Sequence, residues 1–368
     1  MVKQYDPVFN IFNTSMDPDA GGIQNTAYCF MKELKKKYQI KGLSGKQPEE
    51  YRMDCLTEIN DYTVGRAIPW VIKNSNKETW NIVMNCWMGI PALVAKIIKG
   101  AHYFVLAHGN DVYDIAYPQK GVKQRIFRFI NSTILKKADF VACNSNYTSN
   151  LIQSLDLKHV FIIPPPCDFY GNIENISLEP FMILSVGRLV ERKGFQFVID
   201  AVALLKKDFP AIRYFIAGSG EYERELQKRI KELKLEKHVF LLGSVDRETK
   251  IKYMQQCSIF AMPSVELAES SNVEGFGIVY IEANQFGKYV IGSASGGIPE
   301  AICQDITGSI LDEVTGAAVA DQIKKVLTDI DFYYSNDAVE KRKKWAEKYD
   351  VENITEKYLS IVKRFAQT

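Results

Sequence analysis

The chain has 368 residues with 46% hydrophobic and 24% charged side chains, which suits a folded protein of two ordinary domains and leaves no place for a disordered or fibrous one. Its net charge of +2 is too small for a nucleic-acid binder, although the first 178 residues carry 20 Lys and Arg against 16 Asp and Glu, a balance that permits contact with an anionic membrane surface. Seven widely spaced cysteines without a CxxC pair, and four histidines without metal-ligand spacing, predict reduced thiols and no metal site.

Taken in chain order, the opening residues show no basic stretch followed by an apolar one, so a signal peptide is not expected and a cytoplasmic location is. Short apolar runs then alternate with stretches of three- and four-residue apolar spacing, the rhythm of βαβ units on parallel sheets. The first half predicts strands at Val8–Phe12, Ile82–Asn85, Tyr103–Ala107, Phe140–Cys143 and Val160–Ile163, with helices at Ile23–Lys37 and Lys123–Lys137. Trp80–Gly100 is the most apolar stretch, but Asn81, Asn85, Pro91 and Lys96 interrupt it, so it reads as a buried strand, a turn and a helix rather than a membrane span.

Pro164-Pro165-Pro166 stops the last of these strands, and the polar stretch after it marks a boundary. The second half predicts strands at Met182–Val186, Arg213–Ala217, Val239–Leu242, Ile259–Met262 and Tyr289–Ile291. Helices are expected near Phe195–Lys207, Tyr222–Leu233, Arg247–Gln256, Ile278–Phe286 and Ala317–Leu327, followed by a charged helical tail over Lys341–Phe365. The domains are expected at 1–175 and 176–350, with 351–368 a terminal helix crossing back to the first. The fold class is α/β: two Rossmann-like doubly wound domains facing each other across a cleft at the carboxyl ends of their strands.

The chemistry-bearing residues cluster where strands end. In EGFGIVYIEA, Glu274 to Ala283, Gly275 and Gly277 let backbone approach a ligand, and the following helix start offers N–H groups to a diphosphate. Glu282, in the second helical turn, reaches toward ribose hydroxyls, and Glu274 on the preceding loop faces a sugar. In SVGRLVERKG, Arg188 and Lys193 straddle a strand-to-helix turn and can neutralise a departing nucleoside diphosphate without a metal. Alone, such a pair is more often a solvated basic turn. Gly21-Gly22 opens the first helix. In IAGSGEYE, Glu223 stands where a dinucleotide fingerprint has its third glycine, so Gly218 belongs to a weak signal for NAD. His108 in FVLAHGNDV closes a strand beside Asp111, and SGGIPEAI is a glycine-rich turn. Two basic stretches, Met31–Gly42 and Lys120–Lys137, read first as core-packing amphipathic helices and second as surfaces for an anionic membrane.

The ordered set GG, HGND, GRLVERKG, AGSGE, MPS, EGFGIVYIEA and SGGIPEAI resembles the family four retaining glycosyltransferases of GT-B fold, across nearly the whole chain and most closely from Phe181 to Gly308. The resemblance implies that Gly22 and the amides of Phe276, Gly277, Ile278 and Val279 hold the donor diphosphate, with Arg188 and Lys193 neutralising it. It also implies that Glu282 binds the ribose, that Gly218 lines the donor site and that Val245 contacts the base. Glu274 and His108 act on the sugar, while Gln24 and Asp111 lie on the acceptor side. The donor is a UDP or GDP sugar, and the acceptor a glycan or lipid-linked saccharide of cell-envelope polysaccharide synthesis. No cofactor is expected beyond the co-substrate, and the mechanism is a front-face one that retains configuration. IPPPCD and the long acidic stretch Val265 to Val273 depart from the family pattern, which bears on the linker and the sugar pocket. The alternatives are a nucleotide-sugar epimerase of the same fold and a non-catalytic sugar-nucleotide-binding protein.

Overall fold

The computed structural model describes residues 7–13, 15, 17, 21–45, 47–58, 63–168, 176–267 and 273–367. The chain divides into two compact units, Met1–Asp168 with Tyr349–Thr368, and Phe169–Lys348.

The first unit runs β1 (Val8–Asn13), α1 (Gly22–Leu34), β2 (Ile40–Ser44), β3 (Leu56–Glu58), α2 (Val64–Asn74), β4 (Thr79–Val83), α3 (Ile90–Lys99), β5 (His102–Ala107), α4 (Tyr113–Ala116), α5 (Val122–Lys137), β6 (Phe140–Cys143), α6 (Asn146–Leu151) and β7 (Val160–Ile162). Its strands are parallel in the order β3-β2-β1-β4-β5-β6-β7. Strands covered by helices on both faces need apolar residues on both, and TWNIV of β4 and FVAC of β6 are buried throughout.

The second unit runs β8 (Glu179–Val186), α7 (Phe195–Leu205), β9 (Arg213–Ala217), α8 (Glu223–Glu232), β10 (Val239–Gly243), α9 (Arg247–Gln256), β11 (Cys257–Ala261), α10 (Ile278–Asn284), β12 (Tyr289–Ser293), α11 (Ile298–Ala301), β13 (Gly308–Leu311), α12 (Gly316–Thr328), α13 (Ile330–Tyr333) and α14 (Asn336–Glu347). Its parallel order is β10-β9-β8-β11-β12-β13. Both sheets therefore reverse direction between their first and fourth strands, the doubly wound arrangement whose ligands bind where the order reverses.

The expected tail over Lys341–Phe365 is not one helix. Tyr349 and Asp350 break it, and the Asp350 carboxylate accepts the Glu352 N–H at 2.9 Å to cap α15 (Val351–Ala366). Ile354, Tyr358, Leu359 and Val362 of α15 are buried in the first unit beside Phe30 and Phe104. Met31–Gly42 also differs from a single basic helix: α1 ends at Leu34 and Ile40 begins a strand. Among the described residues, no helix is long and apolar enough to cross a membrane.

Candidate active site

In the second unit the order reverses between β8 and β11, so the loops leaving these two strands border the expected ligand site. The loop after β8 brings Arg192 and Lys193; the chain between β11 and α10 brings Glu274. One oxygen of the Glu274 carboxylate accepts from Lys193 Nζ at 2.6 Å and from Arg192 Nη1 at 3.1 Å. The three side chains are 16%, 12% and 9% exposed, so little water shares the contact and the cluster carries a net positive charge. Burial pushes the Glu274 carboxyl up, but the charges and hydrogen bonds of Lys193 and Arg192 outweigh it and leave it below its ordinary value. Burial is likewise the largest influence on Lys193, which Arg192 and Arg188 reinforce against the pull of Glu274, and the ammonium titrates below the usual lysine value. Arg188 itself is exposed. The neighbouring Arg192, which spacing did not single out, is the arginine that meets Glu274.

Backbone contacts fix this cluster. The Glu274 carbonyl accepts the Gly297 N–H at 2.8 Å, and the Arg192 carbonyl accepts the Val265 N–H at 2.7 Å. Glycines bring the other loops close. Gly218 has φ +144, its N–H donates to Gly243 O at 2.8 Å, and a Cβ placed on it would run into the Gly187 carbonyl. Its N–H is thus already used, and Gly218 serves to seat the loop after β9 against the loop after β8. The Ser244 hydroxyl donates to Ser219 Oγ at 2.9 Å, which sets half-buried Val245 beside the same loops.

At the start of α10, Phe276 and Gly277 are buried, and Gly277 adopts φ +92. The N–H groups of Gly277, Ile278 and Val279 have no partner among the described residues, as expected of a helix start. Glu282 is 3% exposed and lies 3.3 Å from Lys250 Nζ of α9. The second carboxylate of the motif therefore has its own cation, which lies far from it in sequence and had no motif to announce it.

In the first unit, Asp111 is 1% exposed and its two oxygens accept the His108 N–H at 2.8 Å and the Cys86 N–H at 3.0 Å. Asp111 ties the loop after β5 to the one after β4. His108 is held by a hydrogen bond to the Met84 backbone, and its Nε2 is buried without a partner among the described residues. Burial lowers its pKa more than Asp111 and Met84 raise it, so the imidazole is neutral at pH 7. Because the folded value lies below the unfolded one, this group costs stability as pH falls below 6.5. The His108 ring proton resonances in NMR are expected to titrate with a midpoint below 6.5; a midpoint at or above that value would contradict the buried neutral ring. Gly22 and Gln24 stand at the start of α1, exposed and half-buried, with the Gln24 side chain against Gly21. The contacts join His108 to Asp111 and Glu274 to Lys193; no such contact among the described residues joins Gly22 or Gln24 to His108.

Residues 168–350 match the family model for glycosyl transferases group 1. The chain is 31% identical over 348 residues to a GDP-mannose-dependent alpha-(1-6)-phosphatidylinositol monomannoside mannosyltransferase of Mycolicibacterium smegmatis, covering 85% of this chain and 87% of that protein. A Campylobacter jejuni N-acetylgalactosamine-N,N'-diacetylbacillosaminyl-diphospho-undecaprenol 4-alpha-N-acetylgalactosaminyltransferase is 33% identical over 181 residues, 46% of this chain and 45% of that one. In fold, Anabaena Alr3699/HepE in complex with UDP and glucose superposes with a TM-score of 0.77 at 18% identity, covering 97% of this chain and all of that one. Sucrose-phosphate synthase from Thermosynechococcus elongatus gives 0.74 at 17%, covering 98% and all of it. Two doubly wound sheets with charged loops at a reversal point, and these likenesses, define a GT-B glycosyltransferase. The chain belongs to the group 1 glycosyl transferases and is a nucleotide-sugar-dependent transferase.

Proposed function

We propose that the chain moves a hexosyl residue from a UDP or GDP sugar to a glycan or lipid-linked saccharide in cell-envelope polysaccharide synthesis, such as O-antigen, lipopolysaccharide or capsule. Transfer retains the anomeric configuration, requires no metal, and takes place in the cytoplasm with the enzyme peripheral to the inner face of the membrane. The observation that carries this reading is the Glu274–Lys193–Arg192 cluster at the reversal point of the donor-type sheet. A leaving diphosphate develops charge that must be met, and fixed cations in a poorly hydrated setting do this without reorganising. In this reading Lys193 and Arg188 meet the phosphates, Glu274 holds sugar hydroxyls, Glu282 the ribose and Val245 the base. Neutral His108 supports the positive charge developing at the anomeric carbon. The 31% identical relative is GDP-mannose-dependent, which makes GDP-mannose the first donor to try, and both named relatives point to lipid-linked acceptors.

The test is sugar transfer by purified protein from candidate donors to a lipid-linked saccharide in EDTA, with the product's anomeric configuration read by NMR. Transfer is expected to persist in EDTA with the donor's configuration kept, and Arg188→Ala is expected to slow it about tenfold to a hundredfold. Loss of transfer on chelation with recovery on adding Mg²⁺, or an inverted product, would overturn the proposed mechanism.

A further inference from the structure

The stretch Lys120–Lys137 carries Lys120, Lys123, Arg125, Arg128, Lys136 and Lys137 and no acidic residue. Its helix α5 faces the core through Asn131, Ile134 and Leu135. A core-packing helix keeps its apolar side chains on that side. At about 100° per residue, however, Val122, Ile126 and Phe129 fall within about 60° of one another on the opposite side. They are 74%, 54% and 73% exposed, three large apolar side chains in a stripe turned away from the core. Arg125 flanks the stripe on one side and Lys123 on the other, and Lys136 and Lys137 continue the same face in the last turn. The neighbouring helix α3 adds Ile97 and Ile98, 75% and 59% exposed, between Lys96 and Lys99.

The other basic stretch of the sequence shows the contrast. In α1, Phe30, Met31 and Leu34 are buried and Lys32 pairs with Asp168; just beyond the helix, Lys36 pairs with Glu33 and Lys37 with Glu352 and Glu356. That segment is packed and mostly ion-paired; the outer face of α5 is uncovered, and among the described residues none of its lysines or arginines is ion-paired.

We propose that the outer face of α5 docks on an anionic bilayer, with Val122, Ile126 and Phe129 entering the boundary between headgroups and acyl chains and the flanking cations meeting lipid phosphates. An apolar stripe bordered by basic residues is the pattern that lies in such an interface. A second copy of the chain fits less well, because two such faces would set four cations, Lys123, Arg125, Lys136 and Lys137, against four, and the stretch supplies no carboxylate between them. The inference deepens the acceptor reading and rests on it for its purpose, since a lipid-linked saccharide is presented at this surface.

The test uses the full chain in vesicle co-sedimentation, with phosphatidylcholine alone and with about a third phosphatidylglycerol. The parent is expected to bind the anionic vesicles, weakly or not at all the neutral ones, and less at high salt. The double variant Ile126→Glu/Phe129→Glu is expected to lose at least about tenfold in vesicle affinity while keeping its Tm, because both residues are exposed. Lys123→Gln/Arg125→Gln is expected to lose affinity mainly for the anionic vesicles. Undiminished binding by the Glu variant, or equal binding of the parent to neutral vesicles, overturns the proposal. So does a parent dimer in sedimentation velocity that the Glu variant dissolves, since the face would then be a self-interface. Transfer to a water-soluble acceptor separates the two claims: a parent that transfers sugar but ignores vesicles refutes docking alone. One that binds vesicles through α5 yet transfers to no lipid-linked saccharide refutes the acceptor reading and leaves docking standing.

Discussion

Replacing Glu274 with glutamine is expected to reduce sugar transfer below detection and to destabilise the unliganded protein by about 3–5 kcal/mol, the usual cost of stranding a buried charge. Glutamine keeps the shape but removes the charge that Lys193 and Arg192 face at 2.6 and 3.1 Å. A nucleoside diphosphate restores an anion, so GDP or UDP is expected to raise the variant's Tm by at least as much as the parent's, although turnover is lost. Equal Tm and turnover in variant and parent would show that the cluster is not the site. The pH dependence carries the same signature. The folded Glu274 carboxyl titrates below its ordinary value of 4.5, so its stabilising contribution is present at neutral pH and is lost as pH falls through that lowered value. Glu274→Gln is expected to lack this part of the acid limb. Lys193 acts in the opposite sense. Its folded pKa lies below 10.5, so losing its proton on the alkaline side relieves a burial cost while removing the cation that transfer needs. Turnover is therefore expected to fall at a pH below 10.5 without a matching loss of stability from this group.

The second large effect is expected at Gly218→Ala. A φ of +144 is open to glycine and strained for alanine, and the new Cβ would meet the Gly187 backbone, which cannot swing aside as a long side chain can. Strain and overpacking together are expected to cost about 3 kcal/mol or more. In a unit of 180 residues that is a Tm loss of about 6–12 °C, read by calorimetry. Donor affinity is expected to fall with it, because the same contact seats the loops carrying Arg188 and Ser244. A variant with parental Tm would mean that the two loops need no such approach.

Much of the fold was legible because its causes are local. Arg213–Ala217 and Phe140–Cys143 are the strands that the apolar runs predict, and Arg247–Gln256 is the helix its spacing predicts. The elements that sequence reading passed over have weak local signals. Ile40–Ser44 holds a lysine and a glycine among few apolar residues, Pro69 inside α2 reads as a helix breaker, and Gly308–Leu311 is four residues long.

The site was legible to a smaller degree. The motifs named Glu274, Lys193 and Glu282 as charged groups near strand ends, but Arg188 and Arg192 stand four residues apart in one turn, and spacing cannot tell which is turned inward. Burial decides it: Arg192 is 7% exposed and Arg188 is on the surface. Nothing near Glu282 in sequence announces Lys250, and nothing in HGND shows that Asp111 spends its carboxylate on two backbone N–H groups.

The sequence alone determined the alternation of strands and helices, the glycines at strand ends and the family to which the chain belongs, because periodicity and motif order are properties of neighbouring residues. Tertiary structure alone decided which cation meets which carboxylate and which basic helix hides its apolar side chains. Those outcomes depend on residues about 30 to 80 positions apart that the sheets bring within hydrogen-bonding distance, where exclusion of water makes one pairing strong and its neighbour weak.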